Sequence, residues 1–198
     1  MLILASNSAT RKALLAGAGL QFESSPAPID ERLEEASVLG KGPAVVARHL
    51  AEAKAVAVSH LHPDRIVIGA DQTLSLAGEI FHKPFDLQAA RDQLSRLRGK
   101  THRLSCGTAL AKDGAVLWSD IATADLSMRD FSDAERDAIL DQEGPLALGS
   151  VGAYRLEGPS VRLFGRIEGD YFTILGLPLL PLLAALRIHA PTELKGFT

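Results

Sequence analysis

The fold class this sequence predicts is α/β, with a mixed sheet flanked by helices. Three observations predict it. Short apolar runs alternate with stretches of helical periodicity along the chain. Turn dipeptides, Ala77-Gly78 and Asp113-Gly114, sit between apolar runs, so hairpins accompany the helical crossovers and the sheet is not purely parallel. The chain has 198 residues, 46% of them hydrophobic, enough to bury about 70% of the unfolded surface in one domain, or in one domain split into two lobes around a cleft.

Taken in order, residues 2–5 (Leu-Ile-Leu-Ala) form a short buried strand. Ser6-Asn7-Ser8 follows, rich in helix-capping types, and residues 10–18 have helical composition, stopped by Gly17 and Gly19. Residues 43–59 read as a longer helix with Val46, Leu50, Ala53 and Ala57 on one face. Residues 65–70 are a nearly unbroken apolar run, as expected of a strand covered on both sides, ending at Asp71. A hairpin is expected about Ala77-Gly78. Asp86 caps a helix whose stripe is Leu87, Ala90, Leu94 and Leu97. Two strands flank Asp113-Gly114, the second covering roughly residues 116–126. Ser132 and Glu135 have capping-box spacing before a helix that reaches Gln142. After a Gly-rich segment, residues 144–158, residues 160–167 read as a strand and residues 176–188 as a terminal helix with Pro178 and Pro181 near its first turn.

Several functions are excluded early. Charged residues make up 23% and the net charge is −3, so no global basic field attracts a nucleic acid. The single cysteine, Cys106, rules out an internal disulfide framework and a Cys-rich zinc site, and reads as core packing. The N-terminus lacks a secretory pattern, and the longest apolar stretch, residues 172–186, is too short and too proline-interrupted to span a bilayer. The expectation is a soluble cytoplasmic protein with no membrane partner. Gly99-Lys100-Thr101 imitates a P-loop, but Leu94 stands where the first glycine is needed and a helix precedes it. Gly17-Ala18-Gly19 lacks the third glycine of a dinucleotide fingerprint. His60 and His62 have no neighbouring carboxylate to complete a metal site, and Trp118 sits in a strand-like run where packing is the default.

What remains is a set of charged and hydroxyl side chains near strand ends. Ser6, Ser8, Arg11 and Lys12 gather at the start of the first helix, where free N–H groups and two cations favour an anion; a capped helix with exposed basic residues is the plainer alternative. Asp71 ends an apolar strand, where an ionisable group costs desolvation unless it is paired or functional; the alternative is a turn aspartate. Glu31, after a Pro-containing extended stretch, is a second acid or simply surface. Lys83, held out of helical conformation by Pro84, adds a cation. Lys54 lies beside the apolar stripe of its helix and either snorkels or points into a site. Carboxylates with cations are the equipment of metal-assisted phosphate chemistry.

The blocks Leu4-Ala5-Ser6-Asn7-Ser8-Ala9-Thr10-Arg11-Lys12-Ala13-Leu14-Leu15, Ile29-Asp30-Glu31, Ala53-Lys54-Ala55, Ile68-Gly69-Ala70-Asp71-Gln72, Lys83-Pro84 and Leu97-Arg98-Gly99-Lys100-Thr101-His102 stand in that order. They are followed by Gly152-Ala153-Tyr154-Arg155-Leu156-Glu157-Gly158 and by residues 169–179, Gly-Asp-Tyr-Phe-Thr-Ile-Leu-Gly-Leu-Pro-Leu. Together, from about residue 2 to about residue 186, the chain resembles the Maf family of nucleoside triphosphate pyrophosphatases. The resemblance implies an elongated mixed sheet with a cleft between two lobes, of the kind shared with inosine-triphosphate pyrophosphatases, over one domain spanning residues 1–198. It implies hydrolysis between the α- and β-phosphates of a nucleoside triphosphate, a divalent cation (Mg²⁺ or Mn²⁺), and a homodimer. Asp71 is then the proton acceptor, with Glu31 and Lys83 beside it in catalysis and Glu31 and Asp71 toward the metal. Ser6, Ser8, Arg11, Lys12 and Lys54 line the phosphates. Ala9 departs from the family's usual proline, which would pre-set the first helical turn.

Three positions separate the family's branches: Thr10, Gln72 and Glu157. The dTTP/UTP branch resembles Arg, Thr and Gln there, and the 7-methyl-GTP branch Trp, Gln and Glu, so the chain resembles the second at Gln72 and Glu157. A carboxylate accepts both adjacent donors of a guanine edge, and a methylated, cationic guanine gains further from its charge. Thr10 offers no aromatic face for stacking. The expected substrate is 7-methyl-GTP or another modified purine triphosphate. The alternatives are a dTTP/UTP-preferring enzyme or a non-catalytic nucleotide-binding regulator of cell division.

Overall fold

In a strand buried on both faces, successive apolar side chains must find two different cores. The computed structural model, which describes residues 1–194, shows this in the first strand, β1 (Leu2–Leu4). Leu2 and Leu4 join one apolar cluster with Leu15, Ile68, Leu110, Leu182 and Leu186. Ile3 joins another, with Ala51, Ala55, Val58, Val67 and Ala109.

Among the described residues the sheet has seven strands: β1, β2 (Phe22–Ser24), β3 (Val67–Leu76), β4 (Glu79–Phe81), β5 (Thr101–Lys112), β6 (Ala115–Met128) and β7 (Phe164–Glu168). Their order is β2-β1-β3-β5-β6-β7, with β4 paired to β3. β1 runs parallel to β2 and β3, while β4 is antiparallel to β3 and β7 to β6, so the sheet is mixed as expected. The helices are α1 (Ala9–Gly17), α2 (Glu31–Val38), α3 (Pro43–Leu61), α4 (Leu87–Leu97), α5 (Asp133–Glu143), α6 (Tyr171–Ile174) and α7 (Leu179–His189). None of those described is long and apolar enough to cross a membrane.

The chain divides into two compact units. Among the described residues the first comprises Met1–Gln72, Ser105–Ala122 and residues 170–194; the second comprises Thr73–Leu104 and Thr123–Gly169. In the first, α3 lies directly on the backbone of the sheet. A Cβ added to Gly69 would stand 2.1 Å from the Ala51 carbonyl oxygen, and one added to Gly107 would stand 2.3 Å from that of Ala47. Only glycine on the strands, facing alanines on the helix, permits this approach. In the second unit, Asp86 caps α4 by accepting from the Ala89 N–H at 2.7 Å, and both halves of the Ser132–Glu135 capping box are present at α5. Their apolar faces, Leu94 and Leu97 on α4 and Ile139 and Leu140 on α5, are buried. Both turn dipeptides are left-handed throughout, with φ of 51° and 87° at Ala77-Gly78 and 51° and 81° at Asp113-Gly114, as two-residue hairpins require.

Three expectations are corrected. The strand expected to end at Asp71 continues through Leu76, because the aspartate is neutralised within the strand and does not break it. Residues 160–167 are not one strand. A 3-10 helix, Pro159–Leu163, precedes β7, since Pro159 has no N–H and that of Ser160 is bonded to Glu143. The terminal helix begins at Leu179, after Gly176 has closed the separate short α6 with φ 87°.

Candidate active site

The candidate site starts from the glycine-mediated seating of α3. Lys54 points from that helix into low-exposure surroundings, its side chain 9% exposed. Its ammonium donates to Asp71 Oδ1 at 2.6 Å and stands 3.0 Å from Glu31 Oε1. A buried ammonium is costly alone, and two carboxylates at hydrogen-bond distance resolve the cost. Asp71 is the fifth residue of β3 and nearly buried; Glu31 is the first residue of α2 and mostly exposed. Glu31 is carried there because Asp30 caps α2, accepting from the Arg32 and Leu33 N–H groups at 3.0 and 3.2 Å. The sequence reading set Glu31 after a Pro-containing extended stretch and assigned it no helix; an aspartate followed by Glu31 and Glu34 was the capping signal available.

The turn between β1 and α1 holds the second group. Ser8 caps α1, its Oγ accepting from the Arg11 N–H at 3.4 Å, and Ser6 Oγ accepts from the Ser8 N–H at 3.1 Å. α1 begins at Ala9, so the family's usual proline would occupy the first helical position. The Arg11 side chain is clamped: Nε donates to the Gly176 carbonyl and Nη1 to the Ala70 carbonyl, both at 2.8 Å, and Nη1 is 3.4 Å from Ser6 Oγ. Gln72 Nε2 donates to the carbonyls of Thr173 and Ile174 at 3.0 and 3.1 Å. Two contacts engage the amide nitrogen, and Oε1 is the side chain's remaining polar atom. The clasp of Arg11 and Gln72 on α6 and its end is a feature the sequence reading missed. Thr10 and Lys12 are half-buried on α1.

The remaining candidates belong to the second unit. Lys83 is exposed just beyond β4. Glu157 is half-exposed, with its Oε1 3.7 Å from Arg155 Nε. The same segment holds Tyr154, whose hydroxyl is 2.7 Å from His102 Nε2 in a buried pair. Burial lowers His102 to about 4, against a smaller opposing pull from Asp125, and burial raises Tyr154. Cys106, in the first unit, is buried with its thiol pushed up to about 12, chiefly by burial, and packs without offering a nucleophile.

The model of the family described as Maf-like protein matches residues 1–189. The chain belongs to the Maf family. Among its relatives, a 7-methyl-GTP pyrophosphatase from Brucella abortus is 53% identical over 188 residues, covering 94% of each chain. A 7-methyl-GTP pyrophosphatase from Rhizobium etli is 52% identical over 188 residues, again covering 94% of each. A nucleoside triphosphate pyrophosphatase from Rhodopseudomonas palustris is 50% identical, covering 94% of this chain and 92% of its own. Among solved structures, a HAM1 protein from Coxiella burnetii aligns with TM-score 0.45 and 15% identity over 66% of this chain and 73% of that one, a likeness too loose to assign anything.

In this Maf protein the donor chemistry suits the divalent cation that the family resemblance implies. Glu31 and Asp71 bring hard carboxylate oxygens, the donor type a divalent cation would take, to one point, where both now face the Lys54 ammonium. Mg²⁺ typically binds through one or two carboxylates and completes its shell with water and phosphate oxygens. Among the described residues no group of three or more His, Cys, Asp or Glu forms a cage made by the protein alone.

Proposed function

We propose that this Maf protein hydrolyses nucleoside triphosphates between the α- and β-phosphates, releasing a nucleoside monophosphate and pyrophosphate, with a preference for 7-methyl-GTP. The observation that carries the reading is the buried Lys54 held between Asp71 and Glu31, in a chain about half identical to relatives that bear these activities in their names.

Asp71 accepts the proton of the attacking water. Lys54 engages Oδ1 and orients the carboxylate, leaving Oδ2 as the acceptor. Arg11, fixed by the Gly176 and Ala70 carbonyls, presents its remaining N–H groups to phosphate oxygens, with Ser6, Ser8 and Lys12 beside it on the same turn and helix. A preorganised guanidinium loses little freedom on binding, which favours the charge that builds on phosphoryl oxygens in the transition state. Lys83 is assigned to phosphate oxygens, and Thr10, Gln72 and Glu157 to choice of nucleotide, each by the motif in which it stands. Glu31 and Asp71 would hold a divalent cation, which when bound would supply charge neutralisation of the polyphosphate. The protein acts in the cytoplasm as a homodimer on a free nucleotide.

The test is a hydrolysis panel of standard and modified triphosphates with Mg²⁺ and with Mn²⁺. The expected products are monophosphate and pyrophosphate, with 7-methyl-GTP the preferred substrate. Orthophosphate as product overturns the reaction, and best turnover on dTTP and UTP overturns the preference. Asp71→Asn should lower turnover by about 10²–10⁴-fold, the usual range for losing a general base, with nucleotide affinity within a few-fold. Wild-type protein that binds nucleotide and releases no pyrophosphate would favour a regulator.

A further inference from the structure

Glu143, the last residue of α5, is buried, its side chain 1% exposed. Oε1 accepts from the Ser160 hydroxyl at 2.7 Å and from the Ser160 N–H at 3.1 Å. Oε2 is buried with no hydrogen-bond partner. The nearest cation to it is Arg155, with Nη1 at 3.7 Å, and the same guanidinium has Nε 3.7 Å from Glu157 Oε1. One guanidinium therefore stands between two carboxylates, one buried and one half-exposed, at hydrogen-bond distance from neither. Gly158 is part of the construction. A Cβ there would stand 2.4 Å from Glu143 Oε1, which Ser160 holds in place.

We propose that Glu143 is a positioning residue for nucleotide selectivity: it holds Arg155 back from Glu157 and so keeps the Glu157 carboxylate open to the paired hydrogen-bond donors of a guanine edge. The inference rests on the reading that Glu157 faces the base. Two carboxylates sharing one guanidinium leave an excess negative charge, which a methylated, cationic purine neutralises and a pyrimidine does not. Without the Glu143 charge, Arg155 is attracted to Glu157 alone, closes the 3.7 Å gap and occupies the acceptor the base needs.

The experiment compares kcat/KM for 7-methyl-GTP and for UTP in wild type, Glu143→Gln, Glu143→Gln/Arg155→Met, Arg155→Met and Glu157→Gln, with thermal melts as a check on folding. Glu143→Gln is expected to lower the 7-methyl-GTP:UTP ratio about tenfold, the scale of one lost hydrogen bond to a charged acceptor, mainly through KM. Adding Arg155→Met should restore the ratio, which a purely structural role for Glu143 would not allow. An unchanged ratio in Glu143→Gln, or one that Arg155→Met fails to restore, overturns the proposal. Should Glu143→Gln not fold, Arg155→Met alone decides: since Glu157 is already open, an unchanged or raised ratio supports the proposal, and a lowered one overturns it. If Glu157→Gln leaves the ratio unmoved, the reading of Glu157 has failed; if it moves while Glu143→Gln does not, only the present inference has.

Discussion

In the first unit a buried ammonium, Lys54, is gripped by two carboxylates at 2.6 and 3.0 Å, whereas in the second a buried carboxylate, Glu143, faces its guanidinium at 3.7 Å. The tight arrangement fixes three side chains around one charge. That suits groups that must be in place before a reaction begins. The loose one leaves Arg155 able to lean toward either of two acids, which suits discrimination between ligands of different charge. What separates them is how the buried member is satisfied. Lys54 bonds to the acids themselves, while Glu143 spends one oxygen on Ser160 and leaves the other bare.

The contrast breaks most visibly at Lys54. Lys54→Met leaves Asp71 unpaired in a nearly buried position and should cost about 3–5 kcal/mol, read as a fall in the urea midpoint, and should reduce turnover by at least about 10²-fold. A loss no larger than that of Ser160→Ala would mean that the tight cluster is no tighter in energy than the loose one. Acid strikes the second unit next. His102 is lowered to about 4 from an ordinary 6.5, so the unfolded chain binds its proton first as the pH falls. Its contribution is fully present above pH 6.5, drains away toward pH 4 and is gone below, a drop of roughly 2–3 kcal/mol that denaturation at pH 7 and pH 4.5 should largely recover. A His102→Gln variant should lose most of that pH dependence. The smallest effect is expected from Ser160→Ala, which removes one 2.7 Å donor from the Glu143 carboxylate and should cost about 1.5 kcal/mol in thermal denaturation.

Much of the fold was legible because its signals are local. Ser8 ahead of α1, Asp86 ahead of α4, the Ser132–Glu135 box and the two turn dipeptides each specify their own few residues, and the structure uses all of them. α2 escaped because it offers no apolar stripe: Leu33 is 70% exposed, and only Val38 on that helix is buried. Lys54, Asp71 and Glu31 were each visible as candidates on residue type and position. Their convergence on one point was not, since it depends on how α3 seats on β3 and α2 packs against α3. Glu143 was invisible for the opposite reason. It ends a polar helix and reads as surface, and its burial comes from Ser160, 17 residues away in the chain.

The glycines beneath α3 set a standoff of atomic thickness. Gly69 and Gly107 contribute nothing polar, yet a methyl group at either would push the helix off the sheet and draw the Lys54 ammonium away from its acids. A survey of this protein for inactivating substitutions should therefore find hits at two positions that bind no ligand and carry no charge, as damaging as the loss of a functional group. The length of one carbon–carbon bond there decides whether the reagents meet.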